Sequence, residues 1–396
     1  VQCDYFDAGA CRSCTLMGVP EQVQVADAQQ RVATLLPSVP HWAPPATGPA
    51  EGFRNRAKMV VSGTVEAPLL GILDSTGRGV DLVACGLYPP SVTAAMEPLR
   101  AFVTRAGLVP YDVPARRGEL KHVHVTTNDA GELVVRFVLR STESLPRIRK
   151  HLPHLLEQVP GVRVVSANLL PAHAALLEGD VEVPLTEQTR LPVRQGSVAL
   201  LTRPQGFLQT NTDVAGQLYR QVAAWVDELA AERAEQDDEQ DDEQDDDAPL
   251  RVWDLYCGAG GFALHVAGPG REVVGVETSE QAVAAARDAA AELGLGEAEA
   301  RFTSADATAW AEQQEAAPDV VVVNPPRRGL GERLCTWLDG AAAAGGARHL
   351  VYSSCNPVSL ARDLEALPGW VPVRGRLFAM FPQTEHAEVL VQLTRR

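Results

Sequence analysis

The chain has 396 residues, 45% of them hydrophobic, enough to fill the cores of two or three domains. No run approaches the roughly twenty uninterrupted apolar residues of a membrane span. Seven cysteines, an odd number without a secretory signal, exclude a disulfide framework as the organising principle and point to a cytoplasmic protein. The net charge of −16 argues against a polyanionic partner if taken whole, but it is uneven: residues 1–200 carry 19 basic and 19 acidic side chains, residues 201–396 carry 16 and 32.

From the N-terminus, Val1 reads as a literally translated GTG start, which puts Cys3 at the beginning of the chain. Cys3, Cys11, Cys14 and Cys85 form a set apart from Cys257, Cys335 and Cys355. Four thiolates can hold zinc or an iron-sulfur cluster. Zinc ribbons usually supply two Cys-x-x-Cys knuckles; here only Cys11 and Cys14 form one, which favours a [4Fe–4S] cluster. Arg54, Arg56 and Lys58 place three cations in five residues, and Arg116-Arg117 with Lys121, and Arg147-x-Arg149-Lys150, add two more groups. Each is a candidate for contact with nucleic acid, although such groups are more often solvated faces. With 3 lysines against 32 arginines, the basic composition reflects a GC-rich genome more than a binding adaptation. Alternating apolar patterns predict strands at 58–63 and 133–139, and a helix at 145–158.

A helical pattern covers 214–234. It is followed by a run of Glu, Gln and Asp over 235–247 that contains ten acids and repels itself, and it is expected to be a disordered surface insertion reaching residue 248. Next comes a strand, Val252 to Tyr256, then the turn Cys257-Gly258-Ala259-Gly260-Gly261 and a helix start at 263–267. The glycines permit close approach of a ligand, and the helix start offers unpaired N–H groups. The spacing Gly258-x-Gly260-x-x-Ala263 fits S-adenosylmethionine (AdoMet) and NAD equally. Glu277 ends the next strand, nineteen residues after Gly258, where a carboxylate can accept from ribose hydroxyls of either cofactor. The strand Asp319 to Val323 runs into Asn324-Pro325-Pro326-Arg327, an ending characteristic of methyltransferases and of no use in hydride transfer. The strand His349 to Tyr352 runs into Ser353-Ser354-Cys355-Asn356. His386-Ala387-Glu388 opens the last strand, 390–394.

One thiol and one carboxylate suffice for a specific reaction. Carbon 5 of a uracil ring is too weak a nucleophile to take a methyl group unaided. A thiolate adding to carbon 6 makes carbon 5 enolate-like, and a carboxylate then removes the proton left there. Taken alone, Cys355 would more often be a buried small residue after a strand.

Read together, Phe207-Leu208-Gln209-Thr210-Asn211, Trp253-Asp254-Leu255-Tyr256-Cys257-Gly258, Asn324-Pro325-Pro326-Arg327 and Ser353-Ser354-Cys355-Asn356 closely resemble the RNA uracil-C5-methyltransferase family. Cys3-x7-Cys11-Arg12-Ser13-Cys14, Phe53 to Val60 and Cys85-Gly86-Leu87-Tyr88 extend the resemblance over nearly the whole chain and towards the members that act on 23S rRNA. The resemblance implies Cys355 as nucleophile, Glu388 as base, and Gln209, Tyr256, Glu277 and Asn324 as AdoMet contacts. Asp306 is a weaker candidate for the adenine, and Glu385 and His386 compete with Glu388. It also implies a [4Fe–4S] cluster on Cys3, Cys11, Cys14 and Cys85. The longer rRNA enzymes of the family carry a β-barrel extension that is not expected ahead of Cys3, and the tRNA enzymes lack the cysteine set. The family pattern has no acidic insert.

The expected architecture is a class I AdoMet-dependent methyltransferase domain, an α/β fold with a Rossmann-like doubly wound sheet, over 201–396. It is preceded by an α+β region divided into a four-cysteine segment (1–90) and a central RNA-binding segment (91–200). The expected enzyme is a monomer acting on 23S rRNA, with no membrane association. Three other readings fit less well. RNA cytosine-C5 enzymes place a second Cys in a Pro-Cys pair where this chain has Asn324-Pro325-Pro326. Amino-methyltransferases place an aromatic where Arg327 stands. A non-enzymatic iron-sulfur RNA-binding protein has no need of Gln209, Glu277 and Glu388 together.

Overall fold

The computed structural model describes residues 1–239, 248–340 and 347–396. Contacts divide the chain into two compact units: Val1–Gly18, Pro49–Val193 and Thr202–Gln205 form one, and Val19–Gly48, Arg194–Leu201 and Gly206–Arg396 form the other. This differs from the expected succession of three segments. The strands on either side of residue 90 belong to one sheet, and residues 19–48 belong with the C-terminal unit.

In the first unit, strands β2 (Arg56–Gly63), β3 (Pro68–Leu73), β4 (Gly79–Asp81), β5 (Leu120–Thr127), β6 (Leu133–Leu139), β7 (Val162–Leu169) and β8 (Val181–Pro184) form a sheet in the order β4-β3-β2-β5-β6-β7-β8. Only β6 and β7 pair in parallel. Every residue of β6 is buried, which its run of Leu, Val and Phe, interrupted by Arg136, allows. Helices α3 (Pro90–Arg105) and α4 (Leu145–Gln158) contribute Met96, Leu99, Phe102, Ile148 and Leu155 to the same core as Met59, Val123 and Phe137. Arg136 is buried too, and is tolerated because Glu182 accepts from its Nε and Nη2 at 2.6–3.0 Å while Glu178 pairs with Nη1.

In the second unit, β1 (Trp42–Ala46), β11 (Leu250–Leu255), β12 (Arg271–Glu277), β13 (Ala300–Ser304), β14 (Val320–Val323), β15 (His349–Ser354), β16 (Trp370–Phe378) and β17 (Glu388–Arg395) form a sheet in the order β1-β16-β17-β15-β14-β11-β12-β13. Strands β11 to β15 are parallel, while β17 runs antiparallel to both β15 and β16. The four valines of β14 are fully buried, as a central parallel strand requires. This is the doubly wound sheet expected from the sequence, with its strand order reversing beside β11.

Helix α5 (Thr212–Glu239) runs five residues into the acidic segment, so disorder beginning at 235 is not what the structure has; residues 240–247 lie outside the described residues. Two of the basic groups also change character. Arg56 is buried with its Nε donating to Thr126, and Lys121 is buried with its ammonium donating to the Ala172 carbonyl, so neither side chain is a solvated surface cation. Arg116, Arg117, Arg149 and Lys150 remain exposed. No described helix is long and apolar enough to cross a membrane.

Candidate active site

Strand register builds the site. Leu255 pairs with both Val276 and Val323, and Val323 pairs with Tyr352, so these four residues form one row across the sheet. Tyr256, Glu277, Asn324 and Ser353 each come one residue later, at the carboxyl edge where ligands of such sheets bind. Three residues that the resemblance implies as cofactor contacts therefore stand side by side.

The glycine turn after β11 is shaped by positive φ angles at Tyr256 (69°), Gly258 (55°) and Gly260 (85°). A Cβ added at Gly258 would meet nothing within 4 Å, so the turn opens onto space a ligand can fill, whereas one at Gly260 would meet Ala286, Leu264 and Phe302 at 3.1 Å. Helix α6 (Gly261–Val266) follows, and its start is less open than expected because the Asp254 carboxylate accepts from the Ala263 N–H at 2.9 Å. Asp254 is fully enclosed, and burial pushes its carboxyl up to about 7. Glu277 accepts from Gly258 N (3.3 Å), Ser279 N (3.0 Å) and the Thr278 hydroxyl (2.9 Å), bracing the turn from the neighbouring strand. Tyr256 is half-buried and hydrogen-bonded to Thr308; burial raises its phenol. Asp306 caps helix α8 (Ala307–Ala311) by accepting from Ala309 N at 2.9 Å. Gln209 is buried on a different segment, where its backbone carbonyl accepts from Gln195 Nε2 at 2.7 Å.

The thiol and the carboxylate meet through the antiparallel pair. Ser354 pairs with Val389 and Ser353 with Leu390, so one further step along the ladder brings Cys355 level with Glu388. Glu388 is 2% exposed and accepts from the Ser353 hydroxyl at 2.6 Å. Burial raises its carboxyl to about 7, against the smaller downward pull of that hydrogen bond. Its competitors, Glu385 and His386, are exposed. Burial raises the half-buried Cys355 thiol, and the nearby Glu388 charge raises it further; Arg327 opposes both by charge and hydrogen bond. Arg327 also approaches His386 Nδ1 at 3.4 Å. Three straps tie the Arg327 loop to the segment after Cys355: Asn356 Nδ2 donates to the Arg327 carbonyl (2.9 Å), Arg362 Nη2 to the Arg328 carbonyl (2.5 Å), and Leu330 N to Asp363 (2.7 Å).

Sequence reading missed the roles of Arg327, Ser353, Asp254 and Asp363. The signal for Ser353 was present, since it lies two residues before Cys355 on a strand. The signal for Asp363, a helical residue eight positions past Cys355, was not.

Cys3, Cys11, Cys14 and Cys85 are half-buried in the first unit and close enough to repel one another's charge: burial and then Cys85, Cys11 and Cys3 push the Cys14 thiol up to about 11. Among the described residues, no three His, Cys, Asp or Glu side chains converge tightly enough to hold a single metal ion.

A doubly wound sheet with a glycine turn, a strand-end acid and Asn-Pro-Pro at its carboxyl edge defines a methyltransferase of the AdoMet-dependent class. A sequence model of the tRNA (Uracil-5-)-methyltransferase family matches residues 188–396. The chain is 43% identical over 399 residues, covering all of both proteins, to the 23S rRNA (uracil(747)-C(5))-methyltransferase RlmC of Escherichia coli O139:H28 (strain E24377A / ETEC). It is 43% identical over 401 residues, again covering all of both, to RlmC of Escherichia coli (strain K12 / MC4100 / BW2952). The chain belongs to the RNA uracil-C5-methyltransferase family. Its fold is shared with the crystal structure of Pyrococcus abyssi tRNA (uracil-54, C5)-methyltransferase in complex with S-adenosyl-L-homocysteine, at a TM-score of 0.75 and 22% identity over 96% of this chain and 85% of that one.

Proposed function

We propose that this enzyme methylates carbon 5 of a uridine in 23S rRNA, the uridine at position 747 named for its full-length relatives, through a covalent adduct on Cys355. The observation that carries the reading is the placement of a buried carboxylate, Glu388, level with a thiol whose other neighbour is a guanidinium. Tyr256, Glu277, Asn324 and Gln209 are read as the residues that hold AdoMet, with Glu277 facing the ribose. AdoMet supplies an electrophilic methyl group when bound. Arg327 stabilises the Cys355 thiolate, which adds to carbon 6 of the flipped-out base and leaves carbon 5 as the nucleophile. After methylation, ionised Glu388 takes the carbon-5 proton, and the electron pair of that C–H bond re-forms the 5,6 double bond and expels the thiolate.

Cys3, Cys11, Cys14 and Cys85 are read as ligands of a [4Fe–4S] cluster. What supports the reading is the resemblance, together with the nearness of Cys85, Cys11 and Cys3 to Cys14, whose thiol they raise. The exposed Arg116, Arg117, Arg149 and Lys150 remain the candidates for RNA contact. The reading carries with it a cytoplasmic enzyme acting as a monomer.

The test uses 23S rRNA, AdoMet and denaturing gels. Cys355→Ala should form no RNA–protein species and transfer no methyl group. Glu388→Gln should methylate once and stall, leaving a slow-migrating adduct. Methylation by Cys355→Ala would end the covalent mechanism, and normal turnover by Glu388→Gln would move the base to Glu385 or His386.

A further inference from the structure

The residues that reach Glu388 include a hairpin loop, 379–387, which leaves β16 and returns into β17, its ends closed by the Phe378–Glu388 pair. Gln383 sits in this loop, 3% exposed, with a left-handed φ of 67°, a conformation a non-glycine residue keeps only when its surroundings impose it. What imposes it comes from far away in sequence. Gln24, on helix α2 (Glu21–Leu35), is 7% exposed and grips Gln383 twice: its Nε2 donates to Gln383 Oε1 at 3.0 Å, and its Oε1 accepts from Gln383 N at 3.0 Å. The same Nε2 also donates to the Val19 carbonyl at 2.7 Å, which fixes the amide's orientation. Beyond Gln383, the loop is internally braced. Thr384 Oγ1 donates to the Phe381 carbonyl at 2.8 Å and accepts from His386 N at 3.3 Å, and Glu388 follows two residues later.

We infer that Gln24 is a positioning residue for proton removal: by holding Gln383 in its left-handed turn it sets where the His386-Ala387-Glu388 segment places the carboxylate against the methylated base. This rests on the reading of Glu388 as the base. Gln24 holds the loop through Gln383 and Val19. Its loss should therefore act chiefly on elimination, the step most sensitive to the reach of one carboxylate. Buried amides hydrogen-bonded on both sides specify one arrangement, and apolar packing alone would leave the loop free to shift.

Gln24→Ala removes the grip. Gln24→Glu keeps the volume, and so the packing, but loses both donated hydrogen bonds and sets a carboxylate against two carbonyl oxygens. In both variants AdoMet affinity and the rate of adduct formation should stay within about twofold of the parent. Release of product should slow on the order of 10- to 100-fold, so that the RNA–protein adduct accumulates on denaturing gels. Val32→Ala, a core truncation on the same helix, should lower the melting temperature without accumulating adduct. Loss of activity in the Gln24 variants without adduct, in proportion to melting temperature as for Val32→Ala, would overturn the inference, as would unchanged turnover. Glu388→Gln run alongside separates the two failures. If it traps adduct while the Gln24 variants do not, only the role of Gln24 falls. If Glu388→Gln turns over normally, the base reading falls first and this inference with it.

Discussion

Burial raises the Glu388 carboxyl to about 7, and the Ser353 hydroxyl resists that rise. Where elimination limits turnover, the rate should therefore climb with pH through neutrality as Glu388 ionises. Ser353→Ala removes the opposing hydrogen bond, so its rising limb should lie at higher pH than the parent's; a profile unmoved, or moved to lower pH, would contradict the assignment. The same shift has a cost in stability. The folded protein holds a proton on Glu388 between about 4.5, the ordinary value, and about 7, so stability falls as pH rises through that window. Glu388→Gln keeps an acceptor for Ser353 and removes the ionisation. It should stabilise the fold by up to about 3 kcal/mol at pH 8, with the gain vanishing near pH 4.5, as read by urea unfolding at the two pH values. The nearness of Cys355 to Glu388 was legible in the sequence as a thiol and a carboxylate each beside a strand end, the pairing the proposed chemistry needs. The burial of Arg56 and Lys121 was not, because a cation in a strand reads the same whether its sheet face is covered or bare.

Among the elements, those with strong patterns matched the sequence closely: β6 and α4 have the limits the apolar periodicity predicted. The last strand, expected over 390–394 with Glu388 at its opening, runs from Glu388 to Arg395, because pairing of Phe378 with Glu388 carries the ladder to its first residue. Helix α2 was invisible for a clearer reason: its buried residues are Gln24 and Val32, too few to form an apolar stripe. The loop carrying Asn324 and Arg327 depends on helix α10 (Pro357–Glu365), whose Asp363 carboxylate accepts from Leu330 N and the Tyr352 hydroxyl, both at 2.7 Å, and pairs with Arg362. Asp363→Ala leaves two buried donors unsatisfied, which should cost on the order of 3 kcal/mol in urea unfolding. Because Arg327 would lose its support, adduct formation should also slow. Asp363→Asn, which keeps one acceptor oxygen, should lose less of both. Equal losses in the two variants would mean that the hydrogen bonds to Asp363 are not what holds the loop.

For the whole molecule, the informative fact is that chain order and structural order disagree within the first 48 residues. Residues 1–18 carry three of the four clustered cysteines and belong to the first unit, while residues 19–48 supply α2 and β1 to the second. Strand β1 pairs with β16 and so covers an edge of the eight-stranded sheet; Trp42 lies against Gly375, where an added Cβ would meet its ring at 2.8–3.1 Å. Val32, Leu36 and Val39 fill the core that also holds Trp253, Tyr352 and Val389. Two truncations should therefore differ sharply although they are close in length. A chain beginning at residue 19 should lose iron and sulfide, when prepared without oxygen, because only Cys85 of the set remains. It should still bind AdoMet within about threefold of the full chain, because Gln209, Tyr256, Glu277 and Asn324 all lie in the second unit. A chain beginning at residue 49 also loses an edge strand, three buried core side chains at about 1.5–3 kcal/mol each, and the Gln24 grip on the 379–387 loop. It should aggregate or fail to bind AdoMet by titration calorimetry. If the longer truncation binds AdoMet as well as the shorter, residues 19–48 are dispensable to the methyltransferase unit. If the shorter retains full iron and sulfide, the metal is not held by the N-terminal cysteines.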